Sequence, residues 1–200
     1  MQTFLPFLLF AFVASITPGP TNILILTQSL NHGFRSALPA VLGACAAAAL
    51  IVLLVGQGFG DLLQRQPALQ RSMAWLGVAW LSYLAWRIFS SPVEPLNLPD
   101  RPPVKPFGLV NAAVLQLVNP KTWMMALAVL GVFAGQGEQQ DARLLQLALL
   151  FFLVSLPCLA VWALLGVSAS RFLHSPGRLR YFNRAMAGLL IASAWLSVLL

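Results

Sequence analysis

Long apolar stretches, separated by short clusters of charge, dominate the chain. Four stretches contain no charged residue: 1–34, 36–60, 144–170 and 185–200. Residues 107–133 contain a single charge, Lys121. A shorter apolar stretch, 72–86, lies between Arg71 and Arg87, whose long side chains can reach opposite membrane interfaces.

These stretches predict membrane-spanning helices, because about 20 apolar residues suffice for a helix to cross the hydrocarbon core. The expected fold is an all-α integral membrane protein with six transmembrane helices, at about 4–27, 38–60, 70–90, 107–133, 143–166 and 181–200. The apolar runs are continuous rather than alternating, which excludes a β-barrel. The first stretch is expected to be a span rather than a cleaved signal peptide, since its first basic residue is Arg35.

The composition supports a membrane protein. Of the 200 residues, 59% are hydrophobic and 8% are charged, and the mean hydropathy is +0.82. Soluble domains have about 25% charged residues, so a cytosolic enzyme and a disordered chain are excluded. Despite the isoelectric point near 10.8, the basic residues are too sparse to bind nucleic acid. The two cysteines lie in apolar runs and form neither a disulfide framework nor a metal site, and no cofactor is expected.

The basic residues predict the orientation. Eight are assigned to the loops after predicted helices one, three and five: Arg35, Arg87, Arg101, Lys105, Arg171, Arg178, Arg180 and Arg184. Three lie on the other side: Arg65, Arg71 and Arg143. The first group is therefore expected in the cytoplasm, which places both termini on the outer side of the membrane.

The two halves of the chain share markers in the same order. Met-Ala follows two residues after Arg71 in helix three and two residues after Arg184 in helix six, and Cys45 and Cys158 each precede these arginines by 26 residues. We interpret the chain as a single membrane domain, 1–200, with repeat one at about 1–90, a proline-rich cytoplasmic linker at 91–106 and repeat two at about 107–200. Two three-helix repeats must be inverted relative to each other. Chance similarity among apolar segments is the alternative.

Two proline-containing polar stretches interrupt the predicted helices one and four. The first reads Thr17-Pro18-Gly19-Pro20-Thr21-Asn22 and the second Asn119-Pro120-Lys121-Thr122. Proline removes a backbone donor and frees a carbonyl one turn earlier, and in lipid such groups need partners or a protein-lined cavity. Broken helices at matching positions of two halves indicate a transporter site near the midplane. The alternative is a pair of kinks that only shape packing.

Lys121 strengthens the interpretation as a site. At 1.5 Å per residue its Cα lies about 20 Å from either end of the predicted helix, too far for its side chain to reach an interface. An intramembrane charge normally faces a partner or a cavity. Its amine is therefore neutral, solvated in a cavity or paired with a carboxylate cargo; a purely structural lysine bonded to freed carbonyls is the alternative.

Other polar and small residues leave two interpretations open. Gln116 and Asn119 share one helix face, with Asn111 two turns earlier, and they either line the same path or hold helices together. The pairs Gly56 with Gly60 and Gly43 with Ala47 favour close helix packing, within the chain or in a homo-oligomer.

These motifs resemble a known family. The Thr17 to Asn22 stretch, followed by His32-Gly33-Phe34-Arg35 and a Gly/Ala-rich second helix, is similar to the lysine exporter/homoserine-threonine resistance (LysE/RhtB) superfamily, and Asn119-Pro120-Lys121 is its second mark. The resemblance covers essentially the whole chain. Helix three, from Trp75 to Arg87, and Ser90-Ser91-Pro92 look most like the cysteine/O-acetylserine exporter branch.

The resemblance implies an exporter of small amino acids or derivatives, of the threonine/homoserine or the cysteine/O-acetylserine type, driven by proton exchange. It also implies a bacterial inner membrane, so that both termini are expected in the periplasm. The motif residues carried over are Thr17, Pro18, Gly19, Pro20, Asn22, Asn119, Pro120 and Lys121, to which the helix-four face adds Gln116. We expect the helix breaks and Lys121 to bind the cargo carboxylate, with Asn22 and Asn119 as hydrogen-bond partners. Because the predicted spans contain no acidic residue, the proton carrier stays open.

Two rival functions remain. Cys45 and Cys158 occupy matching places, as in a transmembrane thiol–disulfide electron carrier, although on helices two and five we expect them away from the proline breaks. A non-transporting membrane scaffold is the other rival, and it should tolerate loss of Lys121. The expected partners are a small amino-acid substrate and the lipid bilayer.

Overall fold

The computed structural model describes residues 4–90, 107–135, 140–170, 172–173 and 175–199, and most of these residues are helical. The helices are α1 (Phe4–Ile16), α2 (Pro20–His32), α3 (Phe34–Leu54), α4 (Gly60–Arg65), α5 (Pro67–Phe89), α6 (Leu109–Val118), α7 (Pro120–Phe133), α8 (Gln140–Ser170) and α9 (Pro176–Leu199). A π-helical segment, Val55–Phe59, joins α3 to α4.

Membrane-spanning character is clear for part of this set. The helical run Phe34–Phe59 and helix α8 are long and apolar enough to cross a membrane, with mean hydropathies of 2.6 and 2.5. Two bent pairs, α1 with α2 and α6 with α7, pass the same test when each counts as one span. The described residues thus contain two to four candidate spans by length and composition. Arginines and tryptophans lower the hydropathy of α5, which falls outside this set.

Several predicted boundaries were wrong. Predicted helix two, at 38–60, begins earlier and changes to π-helix at Val55, and Gly58 adopts φ +98°, which favours glycine. Arg35 and Arg87 lie within helix ends, not in loops, because α3 and α5 extend beyond the apolar runs. The predicted linker at 91–106 lies outside the described residues.

The core is built around α3 and α8, which pack against each other near the centre. Helix α2 packs on α8, α6 packs on α3, and α5 pairs with α9 at one side. A buried cluster includes Ile25, Ala44 and Ala163, contributed by α2, α3 and α8. On the outer face Trp75 and Trp86 are exposed, as expected for side chains that contact lipid.

Close packing of α3 against α6 depends on a glycine. A Cβ atom built on Gly43 would lie 2.1 Å from the Leu109 backbone oxygen, so even alanine forces the two helices apart. We expect Gly43→Ala to lower the free energy of unfolding by at least about 1–3 kcal/mol, the usual cost of overpacking. Thermal unfolding in detergent measures this loss.

Gly131→Ala on α7 is the matched control, because a Cβ atom there meets no atom within 4 Å. Alanine in an exposed helix interior should leave stability unchanged or raise it. Equal unfolding temperatures for the two variants would contradict the close contact between α3 and α6.

Candidate functional site

The first helix break separates α1 from α2 by a bend of 54°. Pro18 and Pro20 lack the amides that would bond the carbonyls of Ala14 and Ile16, and Gly19 is extended, with φ −162° and ψ 176°. The freed Ile16 carbonyl accepts a hydrogen bond from Trp162 Nε1 at 3.1 Å. The break is therefore stabilised from α8.

The second break separates α6 from α7 by a bend of 70° and is stabilised in a similar way. Asn119 is the N-cap of α7, and its Oδ1 accepts from the Lys121 backbone amide at 3.2 Å. That amide no longer bonds Leu117, whose carbonyl accepts from Trp123 Nε1 at 2.8 Å. An indole thus satisfies a freed carbonyl at each break, a role that sequence reasoning missed because tryptophan is common at membrane interfaces.

Lys121 joins the two breaks. It is the second residue of α7, and its Nζ donates to the Thr17 carbonyl of the first break at 2.9 Å. The chain at Gly19 passes so close that a built Cβ would lie 3.2 Å from Lys121 Nζ. The Lys121 amine therefore lies between the C-terminal end of α1 and the N-terminal end of α2.

Gln116 is the centre of a buried hydrogen-bond network. Its Oε1 accepts from Thr21 Oγ1 at 3.0 Å, Asn119 Nδ2 at 3.1 Å and Thr122 Oγ1 at 2.9 Å. Its Nε2 donates to the Ala44 carbonyl at 3.2 Å. One side chain of α6 thereby connects both breaks to α3, and the expected contact of Gln116 with Asn119 is observed.

These groups surround a small cavity of about 30 Å³. Its lining includes Ala14, Ser15, Gly19, Pro20, Thr21, Asn22, Ala44, Cys45, Gln116, Asn119, Lys121, Thr122, Phe151 and Ser155. A water molecule needs roughly 10–15 Å³ on this measure, so the cavity has room for about two waters and is too small for an amino acid.

The predicted site residues divide into two groups. Gly19, Pro20, Asn22, Gln116, Asn119 and Lys121 line the cavity. Thr17 and Pro18 are exposed and Pro120 is half-buried; these three shape the breaks, and Thr17 contributes its carbonyl. Asn111 is exposed on α6 and lies apart from the network.

Several lining residues were not among the predicted site residues. Thr21 and Thr122 stand in the two motifs but were not assigned to the site, and Ser15 and Ser155 gave no sequence signal. The expectation that Cys45 lies away from the proline breaks was wrong, because α3 passes beside the first break and brings Cys45 into the lining. Cys158 packs in the same core cluster as Cys45, and both thiols are free.

A helical membrane protein in which two broken helices meet around a small cavity with polar side chains in its lining has the architecture of a secondary transporter. The chain belongs to the LysE type translocator family, whose family model matches residues 12–198. It is therefore a multi-pass membrane transporter rather than an enzyme.

Curated relatives extend over nearly the whole chain. A cysteine/O-acetylserine efflux protein of Salmonella choleraesuis (strain SC-B67) is 32% identical over 195 residues, covering 94% of this chain and 96% of that protein. The same-named proteins of Shigella flexneri serotype 5b and Escherichia coli O139:H28 are 31% and 30% identical, over 94% and 92% of this chain and 96% and 92% of their own lengths. No solved structure matches the chain.

Proposed function

We propose that this protein exports a small amino acid or derivative, of the cysteine/O-acetylserine type, across the bacterial inner membrane. The observation that carries the proposal is the small cavity between the two helix breaks, with Lys121 Nζ beside it. The names of the relatives support the cargo class. The small side chains of Gly19, Ala44 and Cys45 in the lining fit a cargo of small volume.

The cargo carboxylate binds at the N-terminal end of α2 and to Lys121. No side chain caps the first turn of α2 within the described part of the chain, so its amides and its partial positive charge are available to an anion. An ammonium group has three donors, so Lys121 can keep its bond to Thr17 and still bind a carboxylate. Asn22 and Asn119 border this position as hydrogen-bond partners.

Six spans arranged as two inverted repeats provide the alternating access. The repeats are α1 to α5 and α6 to α9, with each bent pair counted as one span. The packing supports a symmetric relation between the two repeats, because the broken span of each repeat packs on the second span of the other. Helices α1 and α2 pack on α8, whereas α6 and α7 pack on α3. The pairs α3 with α8 and α5 with α9 then lie across the pseudo-twofold axis. In this arrangement the start of α1 and the end of α9 face the periplasm.

Efflux from preloaded cells tests the function. Cells that carry wild-type protein or empty vector are loaded with labelled O-acetylserine, cysteine, threonine, homoserine or lysine, and the loss of label is followed. Faster loss of O-acetylserine or cysteine than in vector cells is the expected result. Repetition with an ionophore that collapses the proton gradient tests proton exchange. Equal rates for every cargo would contradict export.

The shared cluster of Cys45 and Cys158 keeps an electron carrier as a second candidate function. A thiol–disulfide carrier needs both sulfurs, whereas an exporter has no use for Cys158, which packs outside the network around Gln116. Cys158→Ala should therefore leave efflux within about twofold of wild type, as buried changes of small volume usually do. Loss of a thiol-dependent activity in this variant, without efflux by the wild type, would favour the carrier.

A further inference from the structure

The hydroxyl of Ser15 is buried without a hydrogen-bond partner among the described residues. Ser15 is 6% exposed, lies one residue before the end of α1 and lines the cavity between the breaks. Its backbone carbonyl is occupied by Asn22 Nδ2 at 2.8 Å, but its Oγ has no such contact. Buried hydroxyls are normally bonded, so an unpaired one beside a cavity points to a ligand.

The surroundings of Ser15 favour a cation. The C-terminal end of a helix has a partial negative charge, and Pro18 lacks the amide that would bond the Ala14 carbonyl. Ala14 and Ser15 both line the cavity. A carbonyl and a hydroxyl oxygen are acceptors that an ammonium group can use.

The end of α1 at Ser15 and the amine of Lys121 lie close together. The Asn22 side chain donates to the Ser15 carbonyl, while its Oδ1 lies 3.7 Å from a Cβ built on Gly19. The same built atom lies 3.2 Å from Lys121 Nζ. The side-chain amide of Asn22 thus reaches from Ser15 to the neighbourhood of Lys121. This short separation matches an α-amino acid, whose ammonium and carboxylate groups are attached to the same carbon.

We propose that Ser15 Oγ, together with the Ala14 carbonyl, binds the α-ammonium group of the cargo. The proposal rests on the function proposed above and adds a second binding group, distinct from the carboxylate position at Lys121. The cargo is then recognised as a zwitterion by the two ends of one broken helix: the ammonium at the end of α1 and the carboxylate at the start of α2.

Competition in everted vesicles tests this assignment. Uptake of labelled O-acetylserine, at a concentration well below its KM, is measured in the presence of one of three competitors. These are cysteine, cysteamine, which lacks the carboxylate, and 3-mercaptopropionate, which lacks the ammonium. We expect Ser15→Ala to raise the inhibitory concentrations of cysteine and cysteamine equally, by about tenfold, the usual effect of one hydrogen bond to a charged group. The value for 3-mercaptopropionate should stay unchanged.

Ser29→Ala is the matched control, because Ser29 is equally buried on the same broken span but its Oγ donates to the Leu26 carbonyl at 2.9 Å. It should change none of the three values. Weaker binding of 3-mercaptopropionate in Ser15→Ala, or unchanged binding of cysteine, overturns the role of Ser15 but leaves the proposed export function standing. Vesicles of wild-type protein that take up no O-acetylserine, cysteine or threonine overturn the proposed function and this inference with it.

Discussion

Lys121→Met should reduce efflux of the cargo by at least about 10- to 100-fold, the cost of one to two charge-assisted hydrogen bonds. Methionine keeps most of the apolar stem but cannot donate to a carboxylate. Lys121 Nζ bonds only a carbonyl in the described residues, at Thr17, so its positive charge has no anionic partner there. In the function proposed above, a cargo carboxylate supplies that partner during transport. Initial efflux rates at subsaturating cargo measure the effect.

Two controls distinguish binding from structure. Arg180→Met removes a cation from an exposed position of α9 and should leave efflux unchanged. Lys121→Arg keeps the charge and should retain more efflux than Lys121→Met, although the larger guanidinium fits poorly beside Gly19. Normal efflux in Lys121→Met would keep the export function but would show that another group binds the carboxylate. Loss of the protein from the membrane would instead identify a structural lysine that ties α7 to α1.

The sequence predicted the elements of this fold well because the relevant signals are local. Apolar runs between charges mark the helices, and Pro18, Pro20 and Pro120 mark both breaks before any contact is known. The π-helical turn after Leu54 was missed, since a change of helix type leaves no hydropathy signal. The assignment of Arg35 and Arg87 to loops failed because helix ends tolerate charge that a hydrocarbon core does not.

The site was predictable only as far as the motifs reach. Gln116, Asn119 and Lys121 were found because polar side chains in an apolar helix are rare. Their partners come from distant segments: the Ala44 carbonyl has no side-chain signature, and Cys45 enters the lining through the packing of α3. Ser15 is one serine among many small residues, and its unpaired hydroxyl is visible only in three dimensions.

Gln116→Leu should cause the largest loss of stability among single substitutions in the cavity lining. The variant leaves the hydroxyl donors of Thr21 and Thr122 without an acceptor and removes a donor from the Ala44 carbonyl, whereas Asn119 Nδ2 keeps its bond to Thr21 Oγ1. A buried polar group left unpaired costs about 1–3 kcal/mol, so we expect at least about 3 kcal/mol in total. The unfolding temperature in detergent should fall accordingly, and efflux should be lost because both breaks depend on this side chain.

The network makes a stricter prediction about coupling. Thr122→Val alone removes one donor to Gln116 and should cost about 1 kcal/mol. Added to Gln116→Leu, it should cost nothing further and should recover part of the loss, because it removes a hydroxyl that the first change left unpaired. Additive losses in this double-mutant cycle would show that the two side chains act independently. A loss in the double mutant that is smaller than the sum of the two single losses would instead identify Gln116 as the residue that holds the two helix breaks in one arrangement.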